Sequence, residues 1–106
     1  MGSPPNNTGV PSIELTLYIS GSAMASQKAV NNLQKLLRAY KADQVRLTIC
    51  DLSVEFSATA EADKIAFAPT LVKRSPEPKA WILGSLDDSS PVIHLLEDAR
   101  IEKNDE

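Results

Sequence analysis

The sequence predicts a mixed α/β domain with elements in the order β-α-β-α-β-β-α. Three patterns carry that prediction. Apolar and polar residues alternate over 13–20 and again over 45–50, apolar residues recur at spacings of three and four between 23 and 41, and a double-proline turn at 75–78 separates two short apolar runs.

In the first run Ile13, Leu15, Leu17 and Ile19 point one way, and Glu14, Thr16, Tyr18 and Ser20 the other. A period of two is that of a strand, and Gly21-Ser22 ends it. From about Ala23 to Lys41, Ala29, Val30, Leu33, Leu36, Leu37 and Tyr40 form an apolar stripe, while Lys28, Asn31, Asn32, Lys35, Arg38 and Lys41 fill the other side. This is an amphipathic helix, with Ser22 or Ser26 as its expected N-cap. Val45, Leu47 and Ile49 against Arg46, Thr48 and Cys50 make the second strand. A strand–helix–strand unit of this length pairs its strands in parallel.

Ser57 or Thr59 is expected to cap a short helix running to about Ala66, with Ala62, Ile65 and Ala66 inward. Thr70 to Arg74 is a strand, Ser75-Pro76-Glu77-Pro78 a turn, and Lys79 to Leu83 the return strand, ended by Gly84. Ser90 at the N-cap and Pro91 at the first helical position start a last helix, buried through Val92, Ile93, Leu96 and Ala99. Two parallel strands followed by an antiparallel hairpin, with helices around one mixed sheet, make the thioredoxin-like arrangement; a ferredoxin-like layout is the alternative. In the leading arrangement Pro69, just before a strand and facing the loop after the first strand, is expected to follow a cis peptide bond.

The chain of 106 residues has the length of one domain, 42% of it hydrophobic and 24% charged. The Pro-rich segment 1–12 is expected to be a disordered tail, 13–101 the domain, and 102–106 a charged, frayed end. The net charge of −3 argues against nucleic acid as a general partner. No apolar run is long enough to span a membrane, and 1–12 lacks the apolar stretch of a signal peptide, so the cytoplasm is the expected compartment.

Chemistry is sparse. The only cysteine is Cys50, so an internal disulfide, a CxxC pair and a Cys-based zinc site are excluded. The loop Gly21-Ser22-Ala23-Met24-Ala25-Ser26 holds neither Cys nor His where a thioredoxin-type enzyme needs its thiolate. Cys50 reads as a half-buried packing residue and His94 as a surface or partly packed one. Asp87 and Asp88 read as capping residues, and Glu61, Asp63 and Lys64 as the wet side of a helix. No catalytic residue, metal site or cofactor is expected. Two places stand out: Phe67-Ala68-Pro69-Thr70-Leu71, and Trp81, the single tryptophan, which suits either core packing or a partner-facing anchor.

Leu15-Thr16-Leu17-Tyr18-Ile19-Ser20-Gly21 resembles the opening strand of the KaiB family, the small partner protein of the bacterial circadian clock. Ala60-Glu61-Ala62-Asp63-Lys64-Ile65, then Ala68-Pro69-Thr70-Leu71, then Pro76-Glu77-Pro78 and Ile82-Leu83-Gly84 with Leu86, resemble its middle, its PxP turn and its Gly-ended strand. The likeness covers about residues 13–100. It implies a non-enzymatic protein that binds the hexameric ATPase KaiC or a signalling histidine kinase in clock or stress signalling. It also implies two arrangements, one thioredoxin-like and one a rearranged βαββααβ ground state that assembles as a tetramer, so a homo-oligomer is among its implications. The partner-binding residues it implies are Lys64, Ala68, Pro69, Lys73, Arg74, Trp81 and Glu97. Against the family pattern, Ala80-Trp81 stand for a basic pair, Ser85 for an Asp, and Leu95 and Glu97 for a Gly and an Asp. Leu95 in place of a helix glycine favours the thioredoxin-like form. The rival readings are a thioredoxin-fold enzyme using Cys50 and a stand-alone oligomeric stress protein.

Overall fold

The two alternating segments become β1 (Ile13–Ile19) and β2 (Val45–Asp51), joined through α1 (Met24–Leu37). They pair in parallel, from Ile13 opposite Val45 to Ile19 opposite Asp51. The computed structural model describes residues 10–54 and 58–104, with only the backbone of residues 58 and 59. The remaining elements are α2 (Ala58–Ala62), β3 (Thr70–Ser75), β4 (Ala80–Leu83) and α3 (Ser90–Asp98). The sheet order is β2-β1-β3-β4, with β3 antiparallel to both neighbours. This is the expected mixed sheet in the thioredoxin-like order. The Ala68–Pro69, Ser75–Pro76 and Glu77–Pro78 peptides are cis. Residues 1–9 of the expected 1–12 tail, the expected cap at Ser57 and the end at 105–106 lie outside the described residues.

Period-two alternation divides the sheet between two cores. On one face Ile13, Leu15, Leu17 and Leu71 pack with Ala29 and Leu33 of α1 and Val92 and Leu96 of α3. On the other face Tyr18 and Val72 pack with Ala60 of α2, with Cys50, Leu52 and Ile65 beside them. Thr16 and Tyr18 point away from Leu15 and Leu17, as the alternation predicts, yet that side is not left to water. Both are buried, because β1 is central and its second face is covered too.

Helix ends differ from expectation in instructive ways. Neither Ser22 nor Ser26 caps α1; its N-cap is Ala23, and Ser26 Oγ instead accepts the Ser20 N–H at 2.9 Å. The N-cap of α3 is Ser89 rather than Ser90, and the Asp88 carboxylate accepts the Ser90 N–H at 3.0 Å. That contact, with the Ser90 hydroxyl, holds the Asp88 carboxyl below its ordinary pKa. α2 stops at Ala62 instead of reaching Ala66. Lys64 takes φ +57° there, its N–H bonds Glu61 O at 3.0 Å, and the Ile65 N–H bonds Ala60 O at 3.2 Å. This pair of bonds is the Schellman C-cap, which ends a helix in the left-handed region. Consequently Ala62 and Ala66 are exposed, and Ala60 and Asp63 face inward in their place.

Residues 102–104, expected to fray, are held. Lys41 N–H bonds Glu102 O at 2.9 Å, Asn104 N–H bonds Ala39 O at 2.9 Å, and Tyr40 bridges Lys103.

Candidate functional site

The site is built on the face covered by α2. Asp63 follows the last turn of α2, and the Schellman turn drives its side chain down onto the sheet, where it is 1% exposed. Three donors from three places in the chain meet it. Tyr18 of β1 donates its hydroxyl to Oδ2 at 2.7 Å. Arg74 of β3 donates Nη1 to the same oxygen at 2.5 Å. Lys79, leading into β4, brings Nζ to 2.6 Å from Oδ1 as an ion pair.

A buried carboxylate is costly unless paired. Here burial works to raise the Asp63 pKa, while Lys79, Tyr18 and Arg74 outweigh it and hold the carboxyl below its ordinary range. The same pairing acts on the partners. Burial, then the bond to Asp63, pushes the Tyr18 phenol well above its usual value, and Asp63 raises the Arg74 guanidinium. Tyr18 is thus held as a neutral donor, and its phenol is no nucleophile.

Trp81 completes the cluster. Its indole N–H donates to the Asp63 backbone carbonyl at 3.2 Å, and Lys79 Nζ stands 5.7 Å from its ring centroid. The ring remains 47% exposed. Leu83, two residues along and so on the same face of β4, is 57% exposed. Each of the two open readings of Trp81 thus finds part of its description: one edge is fixed against the protein and the rest faces water.

The residues singled out in the sequence separate into two groups. Lys64, Arg74 and Trp81 gather around Asp63, with Lys64 exposed beside it. Ala68 and Pro69 enter β3, and the Pro69 carbonyl accepts the Gly84 N–H at 3.0 Å, tying this entry to the end of β4. Gly84 sits at φ +104°, which disfavours any other residue. Lys73 is only 4% exposed and alternates with Val72 and Arg74, so it lies on the opposite sheet face. Glu97 is exposed on α3, which packs on that opposite face as well. Asp63, read from the sequence as part of a wet helix side, is the centre of the cluster; Tyr18 and Lys79 were not singled out at all.

The loop where a thioredoxin-type enzyme carries its thiolate is tied here to the end of β2. The Asp51 carboxylate accepts the Ser53 hydroxyl at 2.7 Å, the Gly21 N–H at 2.8 Å and the Ser53 N–H at 2.9 Å. These bonds, the Ser53 hydroxyl foremost, hold the Asp51 carboxyl below its ordinary pKa. Cys50 is half-buried and packs with the Tyr18 core, and a groove of about 430 Å³ lined by Thr16, Tyr18, Thr48, Cys50 and Arg74 runs beside it. His94 is exposed on α3. Among the described residues no group of His, Cys, Asp and Glu gathers to hold a metal ion, and no helix is long and apolar enough to cross a membrane.

Comparison with solved structures shows the fold. The N-terminal domain of Synechococcus elongatus SasA superposes with a TM-score of 0.67 at 18% identity, covering 92% of this chain and 91% of that one. Chlamydomonas reinhardtii thioredoxin f2 gives a TM-score of 0.65 at 15% identity, covering 87% and 82%. In sequence, the circadian clock protein KaiB3 of Synechocystis is 35% identical over 81 residues, 76% of this chain and 78% of that protein. The circadian clock oscillator protein KaiB of Prochlorococcus marinus is 34% identical over 79 residues, 74% of this chain and 73% of that protein. The KaiB domain pattern matches residues 16–97. The architecture, the ordered motifs and these matches agree: the chain belongs to the KaiB family.

Proposed function

We propose that this chain is a non-catalytic interaction module of cytoplasmic circadian or stress signalling. It binds a KaiC-type hexameric ATPase or a signalling histidine kinase through the face formed by the α2–β3 connection and β4. The observation that carries the reading is the Trp81 ring, 47% exposed yet fixed at its N–H, with the Lys79 ammonium 5.7 Å from its centre and Lys64 exposed on the turn next to Asp63. A large aromatic held in one orientation loses little freedom on binding, which is what a binding hot spot requires. The loop 20–24, with no Cys or His, gives no support to thioredoxin chemistry. Ala68 and Pro69 shape the connection, while Lys73 is buried and Glu97 lies on the opposite face of the sheet.

The test is size-exclusion chromatography of the pure protein, alone and mixed with the KaiC-type ATPase or the histidine kinase of the same source, in ATP and in ADP. Co-elution with one of them supports the reading. Absence of any shift in either nucleotide with both partners overturns it.

A further inference from the structure

Asp63 reaches the exposed anchor twice, once directly and once through Lys79. Its backbone carbonyl accepts the Trp81 indole N–H at 3.2 Å, and its carboxylate holds the Lys79 ammonium at 2.6 Å, which in turn stands 5.7 Å from the centre of the Trp81 ring. The first contact fixes the ring's edge and the second places a cation against the same ring. The Lys79 side chain is 36% exposed, and its pairing with Asp63 offsets the side-chain freedom lost by placing the ammonium beside the ring. Tyr18 and Arg74 bind the other carboxylate oxygen and so orient the carboxylate.

We propose that Asp63 is a positioning residue: through Lys79 and through its own carbonyl it fixes the orientation in which Trp81 is presented. The proposal rests on the reading of Trp81 as the partner-facing anchor. It assigns the cluster two separable jobs. The Oδ2 side, with Tyr18 and Arg74, fastens α2 to the sheet. The Oδ1 side, with Lys79, sets the ring.

Trp81 is the only tryptophan, so its fluorescence reports this site alone. Asp63→Asn keeps the size and the backbone carbonyl but removes the charge that holds Lys79. Lys79→Met keeps the stem and removes the ammonium, leaving Asp63 its Tyr18 and Arg74 partners. Each is expected to raise the acrylamide quenching constant of Trp81 about twofold and to weaken its near-ultraviolet dichroism, with the double variant no different from either single one. Tyr18→Phe, which touches only the Oδ2 side, is expected to lower stability and leave the Trp81 signals as in the wild type. Wild-type Trp81 signals in folded Lys79→Met overturn the proposal, as does a Tyr18→Phe chain that changes them as much as Lys79→Met does. If Asp63→Asn does not fold, the Lys79→Met and Tyr18→Phe pair decides alone. Altered Trp81 signals with unchanged partner affinity support the positioning role and overturn Trp81 as the anchor. Unaltered signals with lost affinity overturn the positioning role and leave the binding face standing.

Discussion

Tyr18 donates its hydroxyl to Asp63 Oδ2 at 2.7 Å across 45 residues of chain, and this bond fastens α2 to the central strand. Both groups are buried, so losing the hydroxyl leaves a carboxylate with one donor fewer in a place water does not reach. Tyr18→Phe keeps the ring in its core. The expected loss is about 1.5–3 kcal/mol, the range for a hydrogen bond to a charged group, read as a lower urea midpoint with an unchanged slope.

Stability is expected to fall with acid, with Asp63 among the contributors. Its folded pKa lies below the unfolded carboxylate value of about 3.9, so the unfolded chain takes up the proton first. The contribution is complete above about pH 5 and is lost as pH falls through the folded value. Asp51 and Asp88 are shifted the same way and add to the same slope. Urea unfolding between pH 7 and pH 3 checks this: Asp63→Asn is expected to show a shallower decline than the wild type. An equal decline would place the acid sensitivity elsewhere.

Arg100 is held at φ +62°, with its N–H on Glu97 O and the Ile101 N–H on Leu96 O, both at 2.9 Å. This is the same C-cap that ends α2, and here too a residue with a Cβ occupies the position glycine prefers. The left-handed conformation costs a non-glycine residue about 1–2 kcal/mol, part of which the greater freedom of an unfolded glycine offsets. Arg100→Gly is therefore expected to stabilise the protein by about 0.5–1 kcal/mol, visible as a raised thermal midpoint.

Leu95 lies inside α3, half-buried against the main core. Leu95→Ala removes packing alone, whereas Leu95→Gly removes packing and adds the helix penalty of glycine, about 1 kcal/mol relative to alanine. The two variants are expected to differ by that amount in chemical denaturation. Equal stabilities would mean that helix propensity at this position contributes nothing to the arrangement of the second half.

The strands and their order were legible because alternation and turn residues are local signals. Ile13 to Ile19 announces its face in its own sequence, and so does the hairpin around Pro76 and Pro78. The burial of Thr16 and Tyr18 was not, because alternation says which residues share a face and not whether something covers it; the cover comes from α2, far along the chain. Asp63 was hidden for a related reason. Beside Glu61 and Lys64 it reads as solvated, and its inward turn depends on Lys64 adopting a left-handed backbone. Its partners Tyr18, Arg74 and Lys79 lie on separate elements that only the folded sheet assembles. Trp81 was visible as a single large aromatic, but its fixed edge and free face follow from Asp63 and could be seen only after the fold.

The most direct test of the account is the affinity of the Trp81→Ala chain for the KaiC-type ATPase or histidine kinase with which the wild type co-elutes, measured by titration calorimetry beside His94→Ala. His94 is exposed on α3, on the other side of the sheet, and its variant is expected to bind as the wild type does. Trp81→Ala is expected to bind roughly thirtyfold more weakly, the effect of losing a hot-spot side chain worth about 2 kcal/mol. Wild-type affinity in a folded Trp81→Ala chain would contradict the assignment of the β4 face as the binding surface.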